Sequence, residues 1–464
     1  MPEIERTDSI LKLADTAPTG RFHLRAVLVA SMGFFTDAYD LFAVSTALPL
    51  IVSVFGVTNH FTQGLIGAAA LIGAVIGALV FGRIGDVMGR KYVYGFEMAI
   101  LVAFAVLSAL SNSVLMLIAT RLILGIGVGG DYPISSTIMS EYSNIRSRGK
   151  MVQAVFAMQG FGLLLGAAIG ILSIHVLPAA ESWRLMLGFG AIPAASVIYL
   201  RRKIRETPRY SLHTRGDVAE AKKAIEDIVG STVGTGGSGT APGKVRMSAL
   251  SKYAALLVGT AGSWFLFDMA FYGTSINNSI IFSAMGYGSA ANPVISALHT
   301  AVGNMIIAAA FEIPGYWIAF GLIDRAGRKL LQWTGFGIMG AIYLTFAIAY
   351  APLKADLPLF LGMYGMSFLF GNIGPNSTTF ILPTELFPTQ LRTTAHGISA
   401  GSGKAGAAIF TFALPSLEAA LGLNGVFAML SAFSLVAAAM TILLIRETKG
   451  KSLEQASQQS TIAS

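Results

Sequence analysis

The sequence predicts an all-α membrane protein, with twelve transmembrane helices arranged as two pseudo-symmetric six-helix bundles. Three observations carry that expectation. Only 12% of the 464 residues are charged and 54% are hydrophobic, with a mean hydropathy of +0.66; a soluble domain carries about 25% charged residues. Apolar runs of about 20 residues or more, long enough to cross a bilayer, recur along the whole chain. Three short polar motifs also occur twice, displaced by about 240 residues, as an internal duplication requires.

The runs fall at 24–53, 62–84, 91–110, 113–140, 149–177 and 183–202, then at 251–283, 293–322, 329–351, 357–384, 393–420 and 423–445. Between the sixth and seventh lies the only long polar stretch. Residues 1–202 are therefore assigned to an N-terminal bundle with a short cytoplasmic tail, 203–250 to a cytoplasmic linker, and 251–464 to a C-terminal bundle with a short cytoplasmic tail. Within the linker, Asp217–Val229 reads as a short surface helix, and GSTVGTGGSGTAPG after it as a flexible Gly/Ser segment. The N-terminus is polar and shows no cleavable signal peptide.

The duplicated motifs sit at the ends of spans. Asp86-x-x-Gly89-Arg90-Lys91 follows the second span and Asp324-x-x-Gly327-Arg328-Lys329 the eighth. Arg205-Glu206-Thr207 follows the sixth and Arg446-Glu447-Thr448 the twelfth. Glu141 with Arg148 flanks the loop after span four, and Glu385 with Arg392 the loop after span ten. Nearly all of the 32 Lys and Arg, including Arg201 at the end of the sixth span, are assigned to the side of both termini. Arg184 and Lys354 fall on the opposite side, and Arg121 and Lys404 lie within spans. That bias places both termini in the cytoplasm. It also accounts for the formal charge of +8, so no nucleic-acid partner is implied.

Two motifs suggest enzymes and fail in context. Gly125 to Gly130 (GIGVGG) matches a dinucleotide-binding turn, but that turn needs a preceding strand in a soluble βαβ unit. Gly397-Ile398-Ser399-Ala400-Gly401 matches a nucleophile elbow, which needs a strand-to-helix turn with an acid and a histidine beside it. Both lie in Gly/Ala-rich apolar runs, where small residues four apart serve helix packing. There is no cysteine, no H-E-x-x-H and no P-loop. The chain is read as no enzyme, with no cofactor and no metal.

Charges inside a span are costly and point to function. They are Asp37 and Asp40 in span one, Glu97 in span three, Arg121 and Asp131 in span four, Asp268, Glu312 and Lys404. Asp37 and Asp40 are three apart and share a helix face. Asp37 and Arg121 reach similar depths, so Arg121 is expected to neighbour Asp37 or Asp40. In span seven Trp264, Asp268 and Tyr272 stand at i, i+4 and i+8 on one face. An indole, a carboxylate and a phenol in register would be wasted on lipid and are expected to line a central cavity. His396 reads as a packing residue, and Glu97, nearer the membrane edge, as part of the loop network.

The D-x-x-G-R-K loops, twelve spans and central linker resemble the major facilitator superfamily of secondary transporters. Gly129-Gly130-Asp131-Tyr132-Pro133, Asp37-Ala38-Tyr39-Asp40, Met158-Gln159-Gly160 and the span-seven face resemble its phosphate:proton symporters more closely. So do Gly374-Pro375-Asn376 and the run from Ala395 to Lys404. The resemblance covers about residues 20–450 and includes the fungal and plant importers. It implies a substrate site of Tyr132, Gln159, Trp264, Asp268, Tyr272 and Asn376, with Lys404 nearby. It implies proton coupling through Asp37, Asp40 and Asp131, with Arg121 beside them. It also implies a charge network that gates the cytoplasmic side: Asp86, Arg90, Glu141 and Arg148, with Asp324, Arg328, Glu385 and Arg392. Two positions depart from the family pattern. Val87 stands where the first loop usually has Arg, and Glu312 where a small or neutral residue is usual. Glu312 is open to three readings: a further proton site, a cation ligand, or an acid turned toward a polar neighbour.

The chemistry of these side chains suits dihydrogen phosphate, which both accepts and donates hydrogen bonds. Phenols, indole, amides and an ammonium donate to its oxygens, and ionised Asp268 accepts from its hydroxyl. Sulfate, fully deprotonated near neutral pH, would meet Asp268 as bare repulsion. The expected function is proton-coupled import of inorganic phosphate by rocker-switch alternating access, with phosphate, protons and membrane lipid as partners. The protein is expected to be a monomer in the plasma membrane. A proton-coupled sugar or organic-anion transporter of the same fold is the alternative, although a sugar gains little from Lys404.

Overall fold

The computed structural model describes residues 3–233, 247–288 and 292–462. Among them every regular element is helical. Eleven helices are long and apolar enough to cross a membrane: α1 Arg21–Val54, α2 His60–Met88, α3 Arg90–Ala109, α4 Val114–Tyr142, α5 Arg148–Val176, α6 Ala179–Arg202, α7 Met247–Ile276, α8 Pro293–Ala326, α9 Arg328–Ile348, α10 Leu357–Leu386 and α11 Arg392–Leu444. The last is interrupted at Gly422, whose φ of 67° and ψ of 169° lie outside helical space. The break falls where the apolar pattern separates 393–420 from 423–445. α10 is likewise broken, at Gly374-Pro375, where proline removes a backbone donor and clashes with the preceding turn.

The glycines of GIGVGG do pack helices. A side chain on Gly125 or Gly129 of α4 would run into the carbonyls of Ala70 and Ala74 in α2. The second decoy behaves alike: Gly397 lies on the Ala78 carbonyl, and Ser399 shares a 2.9 Å hydrogen bond with Thr260. α2 thus packs on α4 within the first half of the chain and on α11 across to the second. Across the other seam α5 meets α8, where Gln153 donates to the Tyr316 carbonyl at 3.1 Å.

The surface helix expected at Asp217–Val229 forms as Val218–Val229, capped by the Asp217 side chain and buried through Ala221, Ala224, Ile225 and Ile228. The Gly/Ser segment after it lies largely outside the described residues. Two further helices, Glu3–Thr16 and Leu453–Ile462, occupy segments expected to be plain tails. Both belong to the face that carries the duplicated motifs, called the terminal face below.

Candidate functional site

The duplicated loops explain themselves once folded. Gly89 and Gly327 hold φ of 110° and 99°, a region that favours glycine. There the backbone turns so that Arg90 and Lys91 donate their N–H groups to Glu206 at 3.3 Å each, and Arg328 and Lys329 donate theirs to Glu447 at 3.0 Å. A side chain on either glycine would collide with that glutamate. The glutamate of each R-E-T motif therefore caps the helix that opens with the arginine of D-x-x-G-R-K, where N–H groups favour negative charge.

The aspartates reach across the seam. Asp86 accepts from the N–H groups of Thr393 and Thr394, at 3.2 and 2.7 Å, in the first turn of α11. Asp324 accepts from those of Gly149 and Lys150, at 3.1 and 2.9 Å, in the first turn of α5. Each half thus caps a helix of the other. Arg90 binds Glu141 at 3.2 Å and donates to the Thr389 carbonyl at 2.7 Å. Glu141 also holds Arg392 of the second half at 2.6 Å. The first copy is complete despite Val87, whose carbonyl accepts from Tyr210.

The second copy departs from the mirror. Arg328 pairs with Asp324 at 2.9 Å and Glu385 at 2.8 Å, but Arg148 binds Asp15 at 3.4 Å and the Lys451 carbonyl at 3.0 Å. Arg209 gathers the tails, binding Asp15 at 2.7 Å, Glu454 at 2.8 Å and the Glu141 carbonyl at 2.9 Å. Burial pushes the Glu454 carboxyl up, but the Arg209 guanidinium overrides it and holds the group at about 2. Asp15, Arg209 and Glu454 carry no helix periodicity or duplication that marks them in the sequence.

Deeper in the protein, α7 and α11 bring Asp268 and Lys404 together at 3.0 Å. The ammonium lies 3.9 Å from the Tyr272 ring centre and 4.5 Å from that of Tyr132, where aromatic faces attract a cation. The two phenols share a hydrogen bond of 3.1 Å across the halves. Trp264 stands beside Tyr132, and Phe380, stacked on Phe156, closes the floor. Gln159 lies against the Tyr132 hydroxyl and Trp264 against the Asp268 carboxylate, while among the described residues Asp268 Oδ1 and the Gln159 amide lack a well-aligned hydrogen-bond partner. Asn376 stands off from this group, donating to the Tyr316 hydroxyl at 2.9 Å and to Asn372 at 2.8 Å. Tyr316 was missed because one tyrosine in an apolar run looks like an interface residue. His396 packs as expected, its ring against Trp264 and its Nε2 3.0 Å from the Phe380 carbonyl.

The acids of α1 and α4 separate into two kinds. Asp131 is gripped by Arg201, whose Nη1 and Nη2 reach its two oxygens at 2.7 and 2.8 Å. Nη1 also binds Glu97 at 2.8 Å. Arg201, placed with the bases at the span ends, is thus fully buried, and Glu97, expected in the loop network, pairs with it instead and accepts from the Gly95 N–H at 2.8 Å. Gly33 in α1 leaves the space that Arg201 and Asp131 fill. Asp37 and Asp40, by contrast, have no hydrogen-bond partner for either carboxylate oxygen among the described residues. Arg121 neighbours Asp40 as expected, but donates to its backbone carbonyl at 2.6 Å rather than to the carboxylate. The Asp40 carboxylate faces Gly190 of α6.

The site is sealed on both sides. Toward the terminal face stand the crossed caps and ion pairs. Toward the far face Phe42 stacks on Tyr272 with ring centres 5.1 Å apart, and Ser45 donates to the Ser275 carbonyl at 2.9 Å.

Residues 26–459 match the family model described as sugar (and other) transporter. The chain is 35% identical to inorganic phosphate transporter 1-11 of Oryza sativa subsp. japonica, covering 97% of this chain and 90% of that one. It is 36% identical to the repressible high-affinity phosphate permease of Neurospora crassa, covering 98% and 89%. In fold it is similar to the proton:xylose symporter XylE bound to 6-bromo-6-deoxy-D-glucose, with a TM-score of 0.76 and 21% identity over 94% of this chain and 98% of that one. The chain belongs to the sugar (and other) transporter family of the major facilitator superfamily, within the branch of the inorganic phosphate transporters.

Proposed function

We propose that the chain imports inorganic phosphate together with protons, by alternating access around the Lys404–Asp268 site. The carrying observation is that pair itself: a buried ammonium and carboxylate at 3.0 Å, flanked by two phenols that bond each other across the halves. Incoming dihydrogen phosphate replaces these mutual contacts. Lys404, Tyr132, Tyr272, Trp264 and Gln159 donate to its oxygens, and Asp268 accepts its hydroxyl. Asn376 stays close enough, through Tyr316, to complete the shell when the halves move.

Proton coupling falls to Asp37 and Asp40, whose carboxylates have no hydrogen-bond partner among the described residues in the sealed state. An unpaired charge is costly there, so one of the two holds a proton while the halves reorient and releases it on the cytoplasmic side. Asp131 serves with them from its Arg201 clamp, and Arg121 holds the α1 backbone at Asp40. In this reading the break at Gly422 divides α11 into two crossings, twelve in all, with six-helix halves 1–202 and 251–464 joined by 203–250. The halves rock about the midplane site. The terminal face is cytoplasmic, its eight-residue network of Asp86, Arg90, Glu141, Arg148, Asp324, Arg328, Glu385 and Arg392 forming the inner gate. The protein acts as a monomer in the plasma membrane.

The test is purified protein in proteoliposomes, supplied with labelled phosphate or labelled hexose under imposed pH gradients. Accumulation of phosphate that follows the pH gradient, without hexose uptake, is expected. Hexose uptake without phosphate uptake would overturn the assignment.

A further inference from the structure

One buried acid takes no part in the site described above. Glu312 is 4% exposed and ends a five-residue π-helical stretch of α8, Ala308–Glu312. Such stretches occur frequently at functional positions, since widening the helix re-aims a side chain. Glu312 lines a small cavity between the halves, with Thr46 of α1, Ser275 of α7, Asn278 and Asn304 as its polar walls. Phe42 of α1 and Leu163, Gly166 and Ala167 of α5 complete it. Along α1 and α7 it lies further toward the far face than Asp37 and Asp268.

Among the described residues no ion pair reaches Glu312. The titratable groups that face it are the phenols of Tyr316, from its own helix, and Tyr364, from α10. Asn372 of α10 bonds its backbone carbonyl at 3.4 Å, not its carboxylate. The nearby amide oxygens are already engaged: Asn304 Oδ1 accepts from Asn278 at 2.7 Å, and Asn278 Oδ1 from Tyr364 at 2.8 Å. A lone buried carboxylate in such a place is far cheaper neutral than charged.

We propose that Glu312 is a second, separate proton-carrying site, loaded from the far face and moved across with the substrate. The inference rests on the transport reading given above for the stoichiometry it predicts, but not for the protonation itself. Two measurements keep these apart. In proteoliposomes with the membrane potential clamped, the pH gradient that just balances a fixed phosphate gradient gives the protons carried per phosphate. Glu312→Gln is expected to lower that number by one relative to the native chain. An unchanged number, or a sodium requirement at constant pH that Glu312→Gln removes, would overturn the proposal.

In detergent, the infrared spectrum at neutral pH is expected to contain a protonated-carboxyl stretch that Glu312→Gln lacks. Identical carboxyl bands in the two proteins would overturn the proposal whether or not either moves phosphate. If the native chain moved no phosphate, the transport reading would fall and this second measurement would still decide the protonation of Glu312.

Discussion

Arg201 and Asp131 form a bidentate ion pair at 2.7 and 2.8 Å, out of reach of solvent and shared with Glu97. The arginine closes α6 and the aspartate sits mid-way along α4, so the pair ties two crossings of the first half at the level of Ala30 and Gly33 in α1. Two carboxylates share one guanidinium, and that balance makes the arginine sensitive to replacement.

Arg201→Gln leaves Asp131 and Glu97 buried without a cation, and removing one partner of such a pair costs about 3–5 kcal/mol. Thermal unfolding in detergent is expected to fall sharply. Adding Asp131→Asn to the same chain is expected to restore part of the loss, because one uncompensated charge goes with it. A double variant no more stable than the single one would show that the pair is not the source.

Asp268→Asn removes the negative charge that pairs with Lys404 and, in the proposed mechanism, strengthens the bond from the substrate hydroxyl. A hydrogen bond to a charged group contributes about 1.5–3 kcal/mol, so initial phosphate uptake is expected to fall at least about tenfold. The unfolding temperature is expected to fall as well, because Lys404 is left buried without its carboxylate, so uptake is compared per folded protein. Near-normal uptake would remove Asp268 from the site.

Asp37 has no hydrogen-bond partner for either oxygen among the described residues, so its neutral form is the one the sealed site accommodates. Asp37→Asn mimics that form permanently. Phosphate exchange at equal pH is expected to persist, while accumulation driven by a pH gradient disappears. An unchanged dependence of uptake on pH would move the coupling role to another acid.

Asp86 and Asp324 each cap a helix in the opposite half, an interaction of about 0.3–1 kcal/mol at an exposed terminus and up to about 2 kcal/mol when partly buried. Asp86→Asn and Asp324→Asn are expected to shift the protein toward opening at the terminal face, the double variant further than either. The chain has no cysteine, so spin labels on paired introduced cysteines would report the distance directly. Unchanged distance distributions would count against a gating role.

The tail clamp makes a pH prediction. With the Glu454 carboxyl held at about 2 by Arg209, against about 4.3 for a free glutamate, the clamp stabilises fully above the free value. Its contribution is lost as pH falls through the lower one. Docking of the Leu453–Ile462 helix, followed by a probe on exposed Gln455, is therefore expected to survive pH 5. Glu454→Gln is expected to loosen it at neutral pH. Release of the native tail near pH 5 would contradict the assignment.

How far the site was legible depended on whether its geometry is local. Trp264, Asp268 and Tyr272 share a face because a helix turns 3.6 residues at a time, and that spacing is visible in the letters. Lys404 could be expected near them only through resemblance. Phe380 entered only as the end of the Gly374–Phe380 run that resembles the family, and Tyr316 was given no role, since an aromatic in an apolar run declares no direction.

The sequence by itself determined that the chain is helical and membrane-embedded, roughly where its apolar spans lie, and that its loop motifs are duplicated. All of these follow from composition and short-range spacing. Only the tertiary structure decided which base serves which acid. Arg121 lay at the expected depth yet took the Asp40 carbonyl, while Arg201, placed with the bases at the span ends, entered the interior to hold Asp131 and Glu97. The physical reason is that ion pairing at long separation depends on helix rotation and close approach, which are set by packing at small residues such as Gly33, Gly125 and Gly129. A rotation that turns a guanidinium from water toward a carboxylate leaves no mark in the linear pattern of charge.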